Sequence, residues 1–214
     1  MELFEKIAAD KAALLVVDMQ NDFCHPTGAG SINGGDVSGC VEMAPRLAQL
    51  IADARAASVP VIFIRAIHNK WTDSPARKEI IDARPGGICR EGSWGAEWYG
   101  VAPIDGDPII TKHRYSAFIN TDLDLILRAQ QRKTIILTGV ATNGCVESTA
   151  RDGFMMDYHM VFVGDCSATS AGIEPHNNTL KNMARGYGVV VNGEDLAKTW
   201  SVRTAAPELS AVAG

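Results

Sequence analysis

No apolar run in this sequence approaches the roughly 18 residues that a membrane-spanning helix needs. Its opening, Met1-Glu-Leu-Phe-Glu-Lys6, lacks the basic-then-apolar order of a secretory signal. The expected address is therefore the cytoplasm, with no membrane partner. Clustered lysine and arginine are absent as well, and a net charge of −5 leaves no electrostatic footprint for nucleic acid. There is no Cys-x-x-Cys pair: the five cysteines, Cys24, Cys40, Cys89, Cys145 and Cys166, are odd in number and unevenly spaced, which fits neither a disulfide framework nor a zinc ribbon. No Gly-x-Gly-x-x-Gly opens a helix after the first strand-like run, so the dinucleotide-binding fingerprint is missing. Internal repeats and low-complexity tracts are likewise lacking. A small-molecule partner is what these absences leave open.

What is present is ordinary globular material. The 214 residues, 46% hydrophobic and 21% charged, suffice for one domain with a full core. Residues 1–200 are expected to form it, and the Ala/Pro/Ser-rich residues 201–214 to form a weakly ordered tail. Short apolar runs recur at Ala13–Val17, Pro60–Ile64, Pro108–Ile110, Thr134–Leu137, Met160–Val163 and Gly188–Val191. They show no polar alternation, so both faces of each strand should be covered. Helical segments fall between them at Val41–Ala57, Thr121–Gln131, Val146–Met156 and Ile173–Arg185. The expectation is an α/β fold: a doubly wound, mainly parallel six-stranded sheet with helices on both faces. Such sheets bind ligands beyond the carboxyl ends of their strands. The stretch from His68 to Gly106 breaks the rhythm and carries Trp71, Trp94, Trp98 and Tyr99. It reads as a loop with a short helix that walls a site or covers an oligomer contact.

The chemistry concentrates at three strand ends. Cys145 follows the run Thr134–Thr138 through the small residues Gly139-Val-Ala-Thr-Asn-Gly144 and precedes a helical segment. Its sulfur should face the free N–H groups of a helix start, which would lower the thiol pKa, make a thiolate accessible near neutral pH and hold an oxyanion. Asp18 stands directly after the first apolar run, where capping a turn is the alternative role. Lys112 stands just past the third run, where a solvated loop lysine is the alternative. Together they supply a nucleophile, a base and a cation to orient that base. Among the five histidines only His113 neighbours one of these positions. Phe23, Tyr115 and Phe118 are candidate pocket walls, with core burial the competing role for Phe118.

Asp18 within Val-Asp-Met-Gln-Asn-Asp-Phe, Lys112 within Lys-His-Arg-Tyr-Ser-Ala-Phe-Ile-Asn-Thr, and Cys145 within Gly-Val-Ala-Thr-Asn-Gly-Cys-Val-Glu-Ser-Thr-Ala-Arg-Asp-Gly resemble the isochorismatase-like cysteine hydrolases. The resemblance spans roughly residues 12–192, and within that superfamily it is nearest to amidohydrolases of ureido and carbamoyl compounds. It implies a Rossmann-like sheet of order 3-2-1-4-5-6 and a catalytic set of Asp18, Lys112 and Cys145. It further implies an oxyanion hole from the N–H groups of Ala141 and Cys145, a cis Val140–Ala141 peptide, and a homo-oligomer, dimer or tetramer. Asn69 and Trp71 match an Asn-x-Trp of related ureido hydrolases, so with Phe23 and Tyr115 they are the implied substrate-binding residues. Nicotinamidases of the superfamily bind a metal through an Asp-x-His pair, and here Ala66 stands in place of that aspartate. No metal or cofactor is therefore expected. Two other readings remain open, a nicotinamidase-like or other simple amidase and a non-catalytic module with a reactive thiol.

Overall fold

The computed structural model of the protein describes residues 3–81 and 87–205. The chain runs α1 (Leu3–Lys6), β1 (Ala12–Val17), α2 (Asn21–Cys24), α3 (Ala29–Ile32), α4 (Ser38–Ala56), β2 (Val61–Ala66), α5 (Pro75–Ile81) and β3 (Ile109–Lys112). It continues through α6 (Leu123–Ala129), β4 (Thr134–Val140), α7 (Glu147–Met155), β5 (His159–Ala168), α8 (Ile173–Gly186), β6 (Gly188–Val191) and α9 (Gly193–Ala205). The six strands form one parallel sheet of order β3-β2-β1-β4-β5-β6. Each apolar run thus became a strand, most of them longer than expected. β5 extends to Ala168 because its continuation, Gly-Asp-Cys-Ser-Ala, stays paired to β4 beyond a register shift.

The absence of polar alternation has its cause in the packing. All six residues of β1 are buried, and they divide between two cores. Leu14 and Val16 face α4 and α9, meeting Leu47, Leu50, Leu196 and Trp200. Ala13, Leu15 and Val17 face the other side, with Leu123 and Leu127 of α6, Ala150 of α7 and Met183 of α8. A strand buried on both faces must be apolar at every position. Trp200 is buried and donates its indole N–H to the Ile7 carbonyl at 2.9 Å, tying α9 to the start of the chain. The helix continues to Ala205, so the boundary expected at residue 200 falls inside it; residues 206–214 lie outside the described residues. Among the described residues no helix is long and apolar enough to cross a membrane.

The β4 end is shaped for close approach. Gly139 has φ +96°, and a Cβ there would stand 2.1 Å from the Val17 carbonyl oxygen. Only glycine accommodates both the backbone angle and the contact. The register shift between β4 and β5 occurs at this point.

The segment after β1 organises the long loop. Gln20 is fully buried; its Oε1 accepts the Ala66 N–H at 2.7 Å and its Nε2 donates to the carbonyls of Ala66 at 3.0 Å and Ala96 at 2.9 Å. Asp22 accepts the N–H groups of Ala29 at 3.1 Å and Cys89 at 2.6 Å. Asn21 Nδ2 donates to the Trp94 carbonyl at 2.9 Å, and the Tyr99 N–H donates to Met19 at 2.8 Å. The described part of the loop is thereby held against the carboxyl ends of β1 and β2, as a wall of the site.

Candidate active site

β1 and β4 lie side by side, and beyond their ends the chain delivers Asp18 and Cys145. Asp18 has φ +50°, a left-handed conformation that aspartate tolerates better than most residues, so the chain turns immediately after the strand. Its N–H donates to the Ile64 carbonyl at 2.9 Å. Cys145 lies in the wide helical turn Thr142–Val146, closed by a bond from the Val146 N–H to the Ala141 carbonyl at 3.2 Å, and α7 follows directly. Thr149 on α7 donates to the Cys145 carbonyl at 2.7 Å and accepts the Ala117 N–H at 3.0 Å, linking this turn to the loop after β3. The Val140–Ala141 peptide is cis, as the resemblance implies.

Lys112 has the longest reach to make, since β2 separates its strand from β1. Its in-register neighbour on β2 is Ala66. The ammonium arrives 2.8 Å from Asp18 Oδ2 and donates to Cys145 Sγ at 3.1 Å and to the Arg114 carbonyl at 3.0 Å. The side chains of Lys112 and Asp18 are 1% and 0% exposed, so this is a fully desolvated ion pair. The thiol borders the carboxylate too, so Asp18 is in contact with both Lys112 and Cys145.

The electrostatics overturn one expectation. Burial, followed by the charge of Asp18, pushes the Cys145 thiol up to about 12, against the opposing pull of Lys112. The thiol is therefore protonated in the resting site, and the thiolate expected near neutral pH does not form there. Helix N–H groups lower a thiol pKa only while desolvation and a neighbouring anion do not outweigh them. Burial raises Asp18 as well, partly offset by the Lys112 charge. For Lys112, burial acts to lower the pKa, but the charges of Asp18 and Cys145 with their hydrogen bonds raise it overall. The resting arrangement is thiol, carboxylate and ammonium in contact, from which a proton can pass from sulfur to Asp18.

Cys145 opens onto a cavity of about 330 Å³. Ala66 at the end of β2 and His68 beyond it, Phe23 of α2, Ser74, Ala76 and Arg77 at α5, Ile88, Lys112 at the end of β3, and Arg114 and Tyr115 after it complete its lining. Phe23 and Tyr115 thus lie where the sequence put them. Asn69 and Trp71 do not join them: Asn69 spends its side chain on its own turn, accepting the N–H groups of Trp71 and Thr72 and donating to Glu91, and the Trp71 side chain is 83% exposed. Both line a neighbouring hollow with Lys70, Arg90 and Glu91, which shares His68 with the Cys145 cavity. Phe118 stacks on Tyr158 and packs into the core. His113 Nδ1 donates to the Ile67 carbonyl at 2.7 Å and stands as a loop brace. In the sequence His68 stands out only as a lone histidine short of a metal site, and Arg77 not at all; the one available signal for Arg77 was Ser74-Pro75, a helix-start pair that places it in the first turn of α5.

Residues 12–195 match the isochorismatase domain family. The chain belongs to that family. It is 34% identical to ureidoacrylate amidohydrolase RutB of Methylobacterium radiotolerans, an alignment covering 98% of this chain and 88% of the relative. Among solved structures, it is similar to a cysteine hydrolase from Pseudomonas syringae pv. phaseolicola, with a TM-score of 0.81 and 29% identity over 92% of this chain and 95% of that one. N-carbamoylsarcosine amidase from Thermoplasma acidophilum aligns with a TM-score of 0.71 and 30% identity over 86% of this chain and 97% of that one. At the position where nicotinamidases of the family would hold a metal, the residues do not suit one. Ala66 offers no ligand, and His68 Nε2 lies 2.5 Å from Arg77 NH2, where a guanidinium already occupies the lone pair.

The titrations give a direct expectation for the pH profile of any reaction that uses Asp18 as base. Protonation of Asp18 stops proton transfer, so activity falls as pH drops through a value above the ordinary carboxylate range. On the alkaline side, Lys112 is raised and the thiol is pushed up to about 12, so no alkaline limb is expected up to pH 9. A measured kcat/KM profile with an alkaline limb near pH 7 to 8 would contradict this assignment.

Proposed function

We propose that the protein is a cysteine amidohydrolase that hydrolyses the terminal C–N bond of a small ureido or carbamoyl compound and releases ammonia. The observation that carries this reading is the contact of one buried ammonium with both a carboxylate, at 2.8 Å, and a thiol, at 3.1 Å, beside a small cavity. The relatives named for action on ureidoacrylate and N-carbamoylsarcosine support the substrate class. A cavity of about 330 Å³ lies at the lower end for small-molecule sites and suits a compact substrate.

In the proposed reaction Asp18 takes the proton of Cys145 as sulfur attacks the carbonyl carbon. The N–H groups of Ala141 and Cys145 hold the oxyanion. Asp18 then passes its proton to the terminal nitrogen, the C–N bond breaks, ammonia leaves, and a thioester joins the acyl group to Cys145. Water, deprotonated by Asp18, attacks that thioester and restores the thiol. One water is consumed, one ammonia is released, and the former carbonyl carbon leaves as a carbamic or carboxylic acid. Lys112 orients Asp18 and keeps its charge compensated throughout. The same reading places the enzyme in the cytoplasm as a homo-oligomer without cofactor.

An ammonia-release screen across ureidoacrylate-type acids, N-carbamoyl amino acids, biuret, triuret and pyridine amides tests the proposal. Turnover of linear ureido or carbamoyl compounds is the expected result. Turnover confined to nicotinamide would replace this reading with the simple-amidase one, and thiol modification without any turnover would favour a sensor.

A further inference from the structure

Arg77 is the feature of the cavity that the amide chemistry does not use. Ser74 caps α5, its Oγ accepting the Arg77 N–H at 3.3 Å, and this fixes the backbone from which Arg77 projects into the cavity lining. Beyond the backbone, the guanidinium rests on His68, with NH2 standing 2.5 Å from Nε2. His68 is 2% exposed, and burial, then the Arg77 charge, holds its imidazole down to about 3. It therefore meets the guanidinium as a neutral acceptor and leaves the charge uncancelled. Asp73, a carboxylate whose charge acts on Arg77, is committed to Arg90 at 2.5 Å. Arg77 forms no ion pair among the described residues, and its Nε is buried without a hydrogen-bond partner.

The other two cations of the lining are differently placed. Lys112 is neutralised by Asp18, and Arg114 is held in place by NH1 bonds to the carbonyls of Thr72 and His113, which fix its direction without cancelling its charge. No aspartate or glutamate lines the cavity among the described residues. A half-buried guanidinium without an anion, opening onto a small cavity that also holds a nucleophile, is a recognition element in want of its counterion.

Resting on the amidohydrolase reading above, we propose that Arg77, docked on His68, anchors a carboxylate carried by the substrate at the end remote from the scissile amide. The enzyme is thereby selective for ureido or carbamoyl acids over uncharged ureas such as biuret. His68 is a positioning residue, and Arg77 determines specificity.

The test compares 3-ureidopropionate with its methyl ester, and with biuret, in the wild type, Arg77→Met and Arg77→Lys. Wild type should favour the acid over the ester by about 100-fold in kcat/KM, the scale expected when a buried charged group loses its partner. Arg77→Met should lose about that factor on the acid, mostly through KM, while the ester changes by less than about 3-fold. Arg77→Lys, which retains the charge, should recover part of the loss and guards against a folding defect. Equal losses on acid and ester, or a wild-type preference for the ester or biuret, would overturn the assignment. Calorimetric binding of 3-ureidopropionate to Cys145→Ala protein, with and without Arg77→Met, judges Arg77 independently of turnover. If no urea releases ammonia but that binding still depends on Arg77, the amidohydrolase reading fails and the carboxylate site stands. Binding that is absent or insensitive to Arg77 overturns the site.

Discussion

Cys145→Ala is expected to lower ammonia release by a factor on the order of 10⁴ or more, to the background of the assay. Cavity shape and ion pair survive that change, so substrate should still bind while no thioester can form. Asp18→Asn is expected to cost about 10² to 10⁴ in kcat, because the thiol is held at about 12 and reaches its nucleophilic form only by handing its proton to a base. The two residues act in one step. The Asp18→Asn/Cys145→Ala protein should therefore be no worse than Cys145→Ala alone, a non-additivity that steady-state kinetics reads directly. Wild-type turnover by either single variant would remove that residue from the mechanism.

Lys112→Met should have the largest effect on stability, a loss of about 3 to 5 kcal/mol by denaturant titration, together with loss of activity. The ammonium and the Asp18 carboxylate are both withdrawn from water, so deleting one leaves the other charge buried alone. Without Lys112 the effect of burial on Asp18 is unopposed, and its pKa rises further. The sign follows from proton linkage: a carboxyl raised in the folded state contributes stability at low pH that is lost as pH rises through the raised value. The deficit of Lys112→Met against wild type should accordingly be smaller at pH 5 than at pH 8. Asp18→Asn/Lys112→Met removes both charges and should recover much of the stability of Lys112→Met while remaining inactive. A double variant as unstable as the sum of its singles would show that the pair is not one electrostatic unit.

Much of the architecture was legible in the chain because its signals are local. Six β-branched runs without polar alternation specify strands buried on both faces, and the helical segments between them require crossovers that make the sheet parallel. The candidate site was legible in part for the same reason: Asp18, Lys112 and Cys145 each stand at or just beyond the end of an apolar run, where a parallel sheet gathers its functional groups. Helix and strand ends were less legible. β5 runs five residues past its apolar core because pairing with β4, a nonlocal interaction, continues through Gly164-Asp-Cys-Ser-Ala168.

Asn69 and Trp71 lie outside the lining of the Cys145 cavity, because an Asx turn engages the Asn69 side chain and Trp71 is exposed, and that placement is a nonlocal outcome that a motif does not carry. Arg77 shows the converse: only the helix-start pair Ser74-Pro75 marks its neighbourhood, yet the path of the long loop brings it against His68 in the lining of the Cys145 cavity.

By itself, then, the sequence determined the strand set and the placement of Cys145, Asp18 and Lys112 at strand ends, since each depends on residue type and position along the chain. The tertiary structure alone decided the protonation state of the thiol, because desolvation and the Asp18 charge act through space and outweigh the helix start that sequence adjacency suggests. It alone decided that Lys112 reaches both partners, and that Arg77 stands in the cavity lining without an ion pair, because those properties belong to side chains gathered from separate strands and loops.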